Sequence, residues 1–200
     1  TALAREVTKA DAVVNSLEVE IDEECARIVA RRQPAATDLR LVIAVIKTIS
    51  DLERMGDEAK RVAIMARSEM DDALDDELRA DLQHMGDLVR EMLRQVLDAF
   101  ARTDVDMAVV VLKADKNVDR KYKKIIKQLI QRMATDPQSV AVILNIMWAV
   151  RSLEPLGDRC QNIADHVIYM VLGKDIRHLS IEDVEQQLAA ARAARTGSGG

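Results

Sequence analysis

The residues best placed to do chemistry are carboxylates that recur. Leu52-Glu53-Arg54-Met55-Gly56-Asp57 and Leu153-Glu154-Pro155-Leu156-Gly157-Asp158 each set a Glu and an Asp four residues apart, and the copies lie 101 residues from each other. On a helix that spacing stacks both side chains on one face. Like charges held there repel unless they protonate, pair with a base or bind a cation. Each copy has a companion upstream, offset by 104: Asp11/Asn15 in Lys9-Ala10-Asp11 and Val14-Asn15, and Asp115/Asp119 in Lys113-Ala114-Asp115 and Val118-Asp119. The candidate cation ligands are therefore Glu53, Asp57, Asp11, Asp115, Asp119, Glu154 and Asp158, with Asn15 leaving one pair imperfect. An all-oxygen set suits Mg2+, Mn2+, Ca2+ or ferric iron better than zinc. The competing reading is of ordinary solvated helix faces neutralised by Lys9, Arg54, Lys60 and Lys113.

Other chemistry is weaker. His84, His166 and His178 have no His or Cys partner at ligand spacing, and the Glu-x-x-His pairs of di-iron bundles are absent. Cys25 and Cys160 fall on apolar stripes and read as core. There is no Gly-rich phosphate loop, catalytic triad or zinc motif. Gly56 and Gly157 each cost a helix about 1 kcal/mol, so their repetition implies close backbone approach to a neighbouring helix or to ions.

The elements that must position these residues are long helices. Apolar residues make up 48% of the chain and aromatics only 2%, with 7 Gly and 3 Pro, a balance that favours helices over strands. Leu3, Val7, Ala10, Val14, Leu17, Ile21, Cys25 and Ile28 form one stripe, predicted to be buried, of a helix ending near Arg32, before Gln33-Pro34. Because that pattern starts at full stride and without Met, the sequence reads as a fragment of a longer chain. Thr37 is the expected N-cap of a second helix over about 38–67. An acidic run, Glu69 to Glu77, is expected to be a solvated linker, with Asp75 or Asp76 capping the third helix. That third helix carries Leu78, Leu82, Met85, Val89, Met92, Val96 and Phe100. Thr103-Asp104 starts a fourth and Asp136-Pro137 breaks it. A fifth runs from about Ser139 to Leu172 and ends at Gly173. Ser180 caps a tail helix through about Arg195, followed by a flexible Thr196–Gly200.

The resulting organisation is a first hairpin over 1–70, an acidic linker over 71–77, a second repeat over 78–178 and a tail over 179–200. Counting outward from Pro34-Ala35, Asp11/Asn15 lie about 21 residues before the loop and Glu53/Asp57 about 20 after it, hence at nearly one height in an antiparallel pair. Asp115/Asp119 and Glu154/Asp158 are equally balanced about Asp136-Pro137. Net charge is -5 with bases interspersed among acids, which speaks against nucleic acid. Two Cys suggest reduced thiols. The nearly apolar run Val140–Val150 is too short to span a bilayer, and no leader pattern opens the sequence. These features together predict a cytoplasmic protein without membrane insertion.

The run Gln33-Pro34-Ala35-Ala36-Thr37-Asp38-Leu39-Arg40, then Asp51 through Asp57, resembles the PhoU family. So do Ser152 through Asp158, Asn162-Ile163-Ala164 and the exit Gly173-Lys174-Asp175-Ile176-Arg177-His178. The resemblance covers about residues 5–180. It implies an all-α fold of two tandem antiparallel three-helix bundles, in a cytoplasmic, dimeric accessory protein of the phosphate-specific transport system. Such proteins repress the phosphate-starvation response and link the phosphate ABC transporter ATPase to a sensor histidine kinase. The family's acidic motifs bind iron or other metal ions (Mn or Mg here also fit). They map to Glu53/Asp57, Glu154/Asp158 and Asp115/Asp119, with Asp11/Asn15 an imperfect fourth. The resemblance places a further helix upstream of Thr1, so the first bundle is expected to lack its N-terminal helix and to expose an apolar stripe. Pro155 stands where the family pattern has Arg, and is expected to free the Arg151 carbonyl. Two other functions fit the bare sequence: a carboxylate-bridged di-metal oxidase or storage bundle, and a plain helical scaffold.

Overall fold

The structure, a computed structural model, describes residues 2–66 and 74–197. Six helices and no strand occur among them: α1 (Ala2–Arg32), α2 (Ala36–Met65), α3 (Asp76–Arg102), α4 (Val105–Thr135), α5 (Val140–Leu172) and α6 (Ile181–Gly197). Each boundary has a local cause. Pro34 stops α1, and Gln33 takes a left-handed φ of 43° to reverse the chain. Asp75 Oδ1 accepts the Leu78 amide, and Asp104 Oδ1 accepts those of Asp106 and Met107. Pro137 opens a single 3-10 turn, Pro137–Ser139, between α4 and α5. Gly173 ends α5 at φ 66°, a conformation only glycine adopts without strain. Ser180 Oγ caps α6 by accepting the Asp183 amide, and donates to the Asp183 carboxylate.

Two details differ from expectation. Ala35, not Thr37, is the N-cap of α2, with no side-chain bond; Thr37 Oγ1 instead accepts from Arg40. Thr196 and Gly197 continue α6 instead of belonging to a loose tail. Helix α5 runs through Pro155 as expected, and that residue has no N–H to donate to the Arg151 carbonyl. Residues 67–73 lie outside the described residues, and with them the first part of the predicted acidic linker, as do 198–200; Asp76 and Glu77, also assigned to that linker, open α3.

α1/α2 and α4/α5 form antiparallel hairpins, α3 lies on α4 and α5, and α2 packs along α5 to join the two repeats. α2 and α5 run antiparallel: Arg40 reaches Gly173 near one end, and Asp51 meets Asn162 further along. α5 is therefore the central helix. It contributes fourteen buried residues, Ile143, Ile146, Val150, Ile163 and Ile168 among them, against Met85 and Met92 of α3 and Ile125 and Leu129 of α4. By length and composition alone the stretch 137–172 is apolar enough to cross a membrane, which the shorter run Val140–Val150 did not suggest. Its hydrophobicity has a simpler origin, because it faces three neighbours at once.

α1 is the opposite case. Only Ala4, Asp11 and Cys25 are buried on it, and Leu3 and Leu17 of the predicted buried stripe are 68% and 48% exposed. A two-helix hairpin has one interface, so the stripe's other flank lies open. It lines a groove of about 430 Å³ with Val14, Leu17, Ile21, Ile49, Leu52 and Val89 on its walls. The second repeat closes the same flank with α3.

Candidate metal centre

The two glycines explain how the acidic clusters form. Asp115 of α4 lies directly over Gly157 of α5: a Cβ on that glycine would stand 2.5 Å from Asp115 Oδ1. Gly56 of α2 receives Asp11 of α1 in the same way at 3.3 Å, and Val118 and Val14 flank the two contacts equivalently. The missing side chain lets a carboxylate enter the helix interface and leaves it only 8% exposed at Asp115 and 4% at Asp11. The clusters predicted to share a height thus also face each other, in both hairpins.

The second hairpin gathers its complete set without an ion pair, although the charges of Arg151 and Arg159 act in part against the rise of Glu154 and Asp158. Burial, then the charges of Asp119, Asp158 and Glu154, push the Asp115 carboxyl up to about 6. Burial and the neighbouring acids also raise Glu154 and Asp158. None of the four makes an ion pair or a side-chain hydrogen bond among the described residues. The bases next to them in sequence are engaged elsewhere. Arg159 donates to Asp51 at 3.2 Å, Lys113 to Glu185 at 2.7 Å, and Arg151 lies over the Trp148 ring.

The first hairpin solves the same problem differently. Lys60 Nζ donates to Asp11 Oδ2 at 2.7 Å and stands 4.0 Å from Asp57. Asp11 Oδ1 and Asn15 Oδ1 remain buried without a partner. Glu53 is raised by burial, Asp57, Glu18 and Asp11. Glu18 is therefore a further member that the sequence reading missed. Its signal was its position, seven residues after Asp11 on the same face.

As a metal site the second set fits a hard cation by chemistry: four oxygen donors of one sign, one buried and unpartnered, over a glycine. Among the described residues no three His, Cys, Asp or Glu side chains are already gathered around a common point. Asp115, with Asp119, Glu154 and Asp158 beside it, would be the residues to hold such an ion. The first set fits less well, because an ammonium already occupies the approach to Asp11.

A second polar cluster escaped the sequence reading. Asp51 of α2 is buried against α5, where it accepts from Arg159 and Asn162 at 3.2 Å each and faces His166 Nε2 at 3.2 Å. These partners hold its carboxyl below the usual range despite burial. The spacing 159, 162, 166 places all three on one face of α5. Nothing in α2 alone marks Asp51 as their target. His166 is thereby committed to joining the two repeats rather than to the acidic cluster.

Comparisons with known proteins bear on the family and the fold. The PhoU domain pattern matches residues 1–66 and 82–167. The chain belongs to the PhoU family. The phosphate-specific transport system accessory protein PhoU homolog of Pseudomonas putida is 46% identical over 182 residues, 91% of this chain and 71% of that protein. The PhoU accessory protein of Escherichia coli K12 is 42% identical over 187 residues, 94% of this chain and 77% of its own. Among solved structures, PhoU from Pseudomonas aeruginosa is 47% identical with a TM-score of 0.82, covering 86% of this chain and 83% of that one. The phosphate transport system regulatory protein PhoU from Streptococcus pneumoniae, 28% identical, has a TM-score of 0.78 over 87% of this chain and 81% of its own. The all-α PhoU fold expected from the sequence is the fold observed.

Proposed function

We propose that this chain is a metal-binding regulatory adaptor of the phosphate-specific transport system, without catalytic turnover. On this reading it is a cytoplasmic homodimer. It represses the phosphate-starvation response when phosphate is plentiful, by coupling the ATPase of the phosphate ABC transporter to a sensor histidine kinase. The relatives' names support the phosphate system as its setting. The observation that carries the metal reading is the unneutralised cluster of Asp115, Asp119, Glu154 and Asp158, with Asp115 buried over Gly157.

A bound hard ion such as Mn2+, Mg2+ or iron would supply positive charge where α4 and α5 otherwise repel. Asp115 at the helix interface and its neighbours Asp119, Glu154 and Asp158 would be the residues that hold it. Ion binding would then stiffen the α4/α5 pair, the pair that also carries the contacts to α2 and α3. The test is in cells: this chain replaces the resident PhoU protein of a host bacterium carrying a phosphate-starvation reporter. In phosphate-rich medium the wild-type chain is expected to hold the reporter off, and Glu154→Ala/Asp158→Ala to release it at equal protein level. A double variant that represses normally would separate the motif from regulation.

A further inference from the structure

The two hairpins are related by sequence and geometry, yet they neutralise their acids by different means. In the first, Lys60 reaches from α2 to Asp11, which is only 4% exposed, and places Nζ 2.7 Å from Oδ2. The equivalent residue of the second hairpin, 101 positions on, is the neutral Gln161. Where the second has Asp119, the first has Asn15, so one carboxylate is lost where one ammonium is gained. The ammonium is also 4.0 Å from Asp57 and so sits between the α1 and α2 acids. A metal ion entering there would have to displace a tethered cation and then remain beside its charge.

We propose that Lys60 is the built-in cation of the first cluster, so that the chain takes metal between α4 and α5 and not between α1 and α2. The duplicated motif has thereby divided its labour. One copy is permanently neutralised and holds α1 on α2, and the other depends on an ion from solution. This inference rests on the metal reading of the second cluster. It adds that Lys60 alone, with Asn15, closes the first.

The test is equilibrium dialysis of the chelator-stripped full chain against Mn2+, with bound metal counted by elemental mass spectrometry. Glu53→Gln/Asp57→Asn is expected to leave the Mn2+ stoichiometry unchanged, and Glu154→Gln/Asp158→Asn to abolish saturable binding. Lys60→Gln/Asn15→Asp, which gives the first hairpin the residues of the second, is expected to raise bound Mn2+ about twofold. Lys60→Arg is expected to keep the wild-type value. If the opened variant does not fold, the two carboxamide pairs decide the matter alone. Loss of about half the Mn2+ in Glu53→Gln/Asp57→Asn would overturn this inference while leaving the metal reading intact. A wild-type chain that takes up no Mn2+ would overturn both.

Discussion

Asp115→Asn should make the metal-free protein more stable at neutral pH, although it removes a buried charged group from a helix interface. The Asp115 carboxyl is carried from its ordinary 3.8 to about 6, first by burial and then by Asp119, Asp158 and Glu154. A folded-state value above the unfolded one means that the native state prefers the protonated acid. Its stabilising share is therefore fully present below about 3.8 and is lost as pH rises through 6. The gap of about two pKa units corresponds to roughly 3 kcal/mol at pH 7.5. Asparagine keeps the shape and removes the charge, so it recovers most of that energy. The assay is urea unfolding of chelator-stripped wild type and Asp115→Asn between pH 3.5 and 7.5. Asp165, also raised to about 6 by burial, is common to both proteins and cancels in the difference. The variant is expected to lead by about 2–3 kcal/mol at pH 7.5 and by almost nothing at pH 3.5. Added Mn2+ should then stabilise the wild type more than the variant and reduce the gap. A variant less stable than wild type at pH 7.5 without metal would refute the reasoning, since it would mean the carboxylate is already compensated by the protein.

Asp51→Ala should destabilise the fold by about 2–4 kcal/mol, because it leaves Asn162 and His166 at the α2/α5 interface without their acceptor; thermal unfolding would measure it. The low carboxyl value of Asp51 means that this contribution is present above about 3.8 and lost as pH falls below it, so wild type and variant should converge in acid. Gly157→Ala would place a methyl 2.5 Å from Asp115 Oδ1 and turn that carboxylate out of its seat. The gain in helix propensity, about 1 kcal/mol, offsets part of the cost. Mn2+ affinity should therefore fall at least tenfold while the melting temperature moves by only a few degrees, as calorimetric titration and thermal scans would show.

Local signals in the chain specify local structure, and signals that depend on distant helices do not. The helix ends at Arg32, Thr135 and Leu172 were legible because Pro34, Pro137 and Gly173 act on the backbone locally. The shared height of the acidic pairs was legible because rise per residue is fixed and the loops are short. That they also face each other was not, because azimuth depends on how the helices roll together. The glycines hinted at it, and the Asp115–Gly157 contact is its cause. Periodicity alone marks an apolar face on α1 without saying that anything covers it, so Leu3 and Leu17 are exposed where the pattern suggested burial; the apolar stripe that the family resemblance left open on the first hairpin is the one observed. Glu18 and Asp51 were missed for another reason: their partners are tens of residues away on other helices. Lys60 was visible as a nearby base, but only the structure shows it to be directed at Asp11.

The most direct measurement of the central claim is anomalous diffraction at the manganese edge from crystals of the protein grown with Mn2+. The account predicts a peak in contact with the carboxylates of Asp115, Asp119, Glu154 and Asp158, and none beside Asp11. Saturated crystals with no peak at the α4/α5 cluster, or with manganese held only elsewhere, would contradict it.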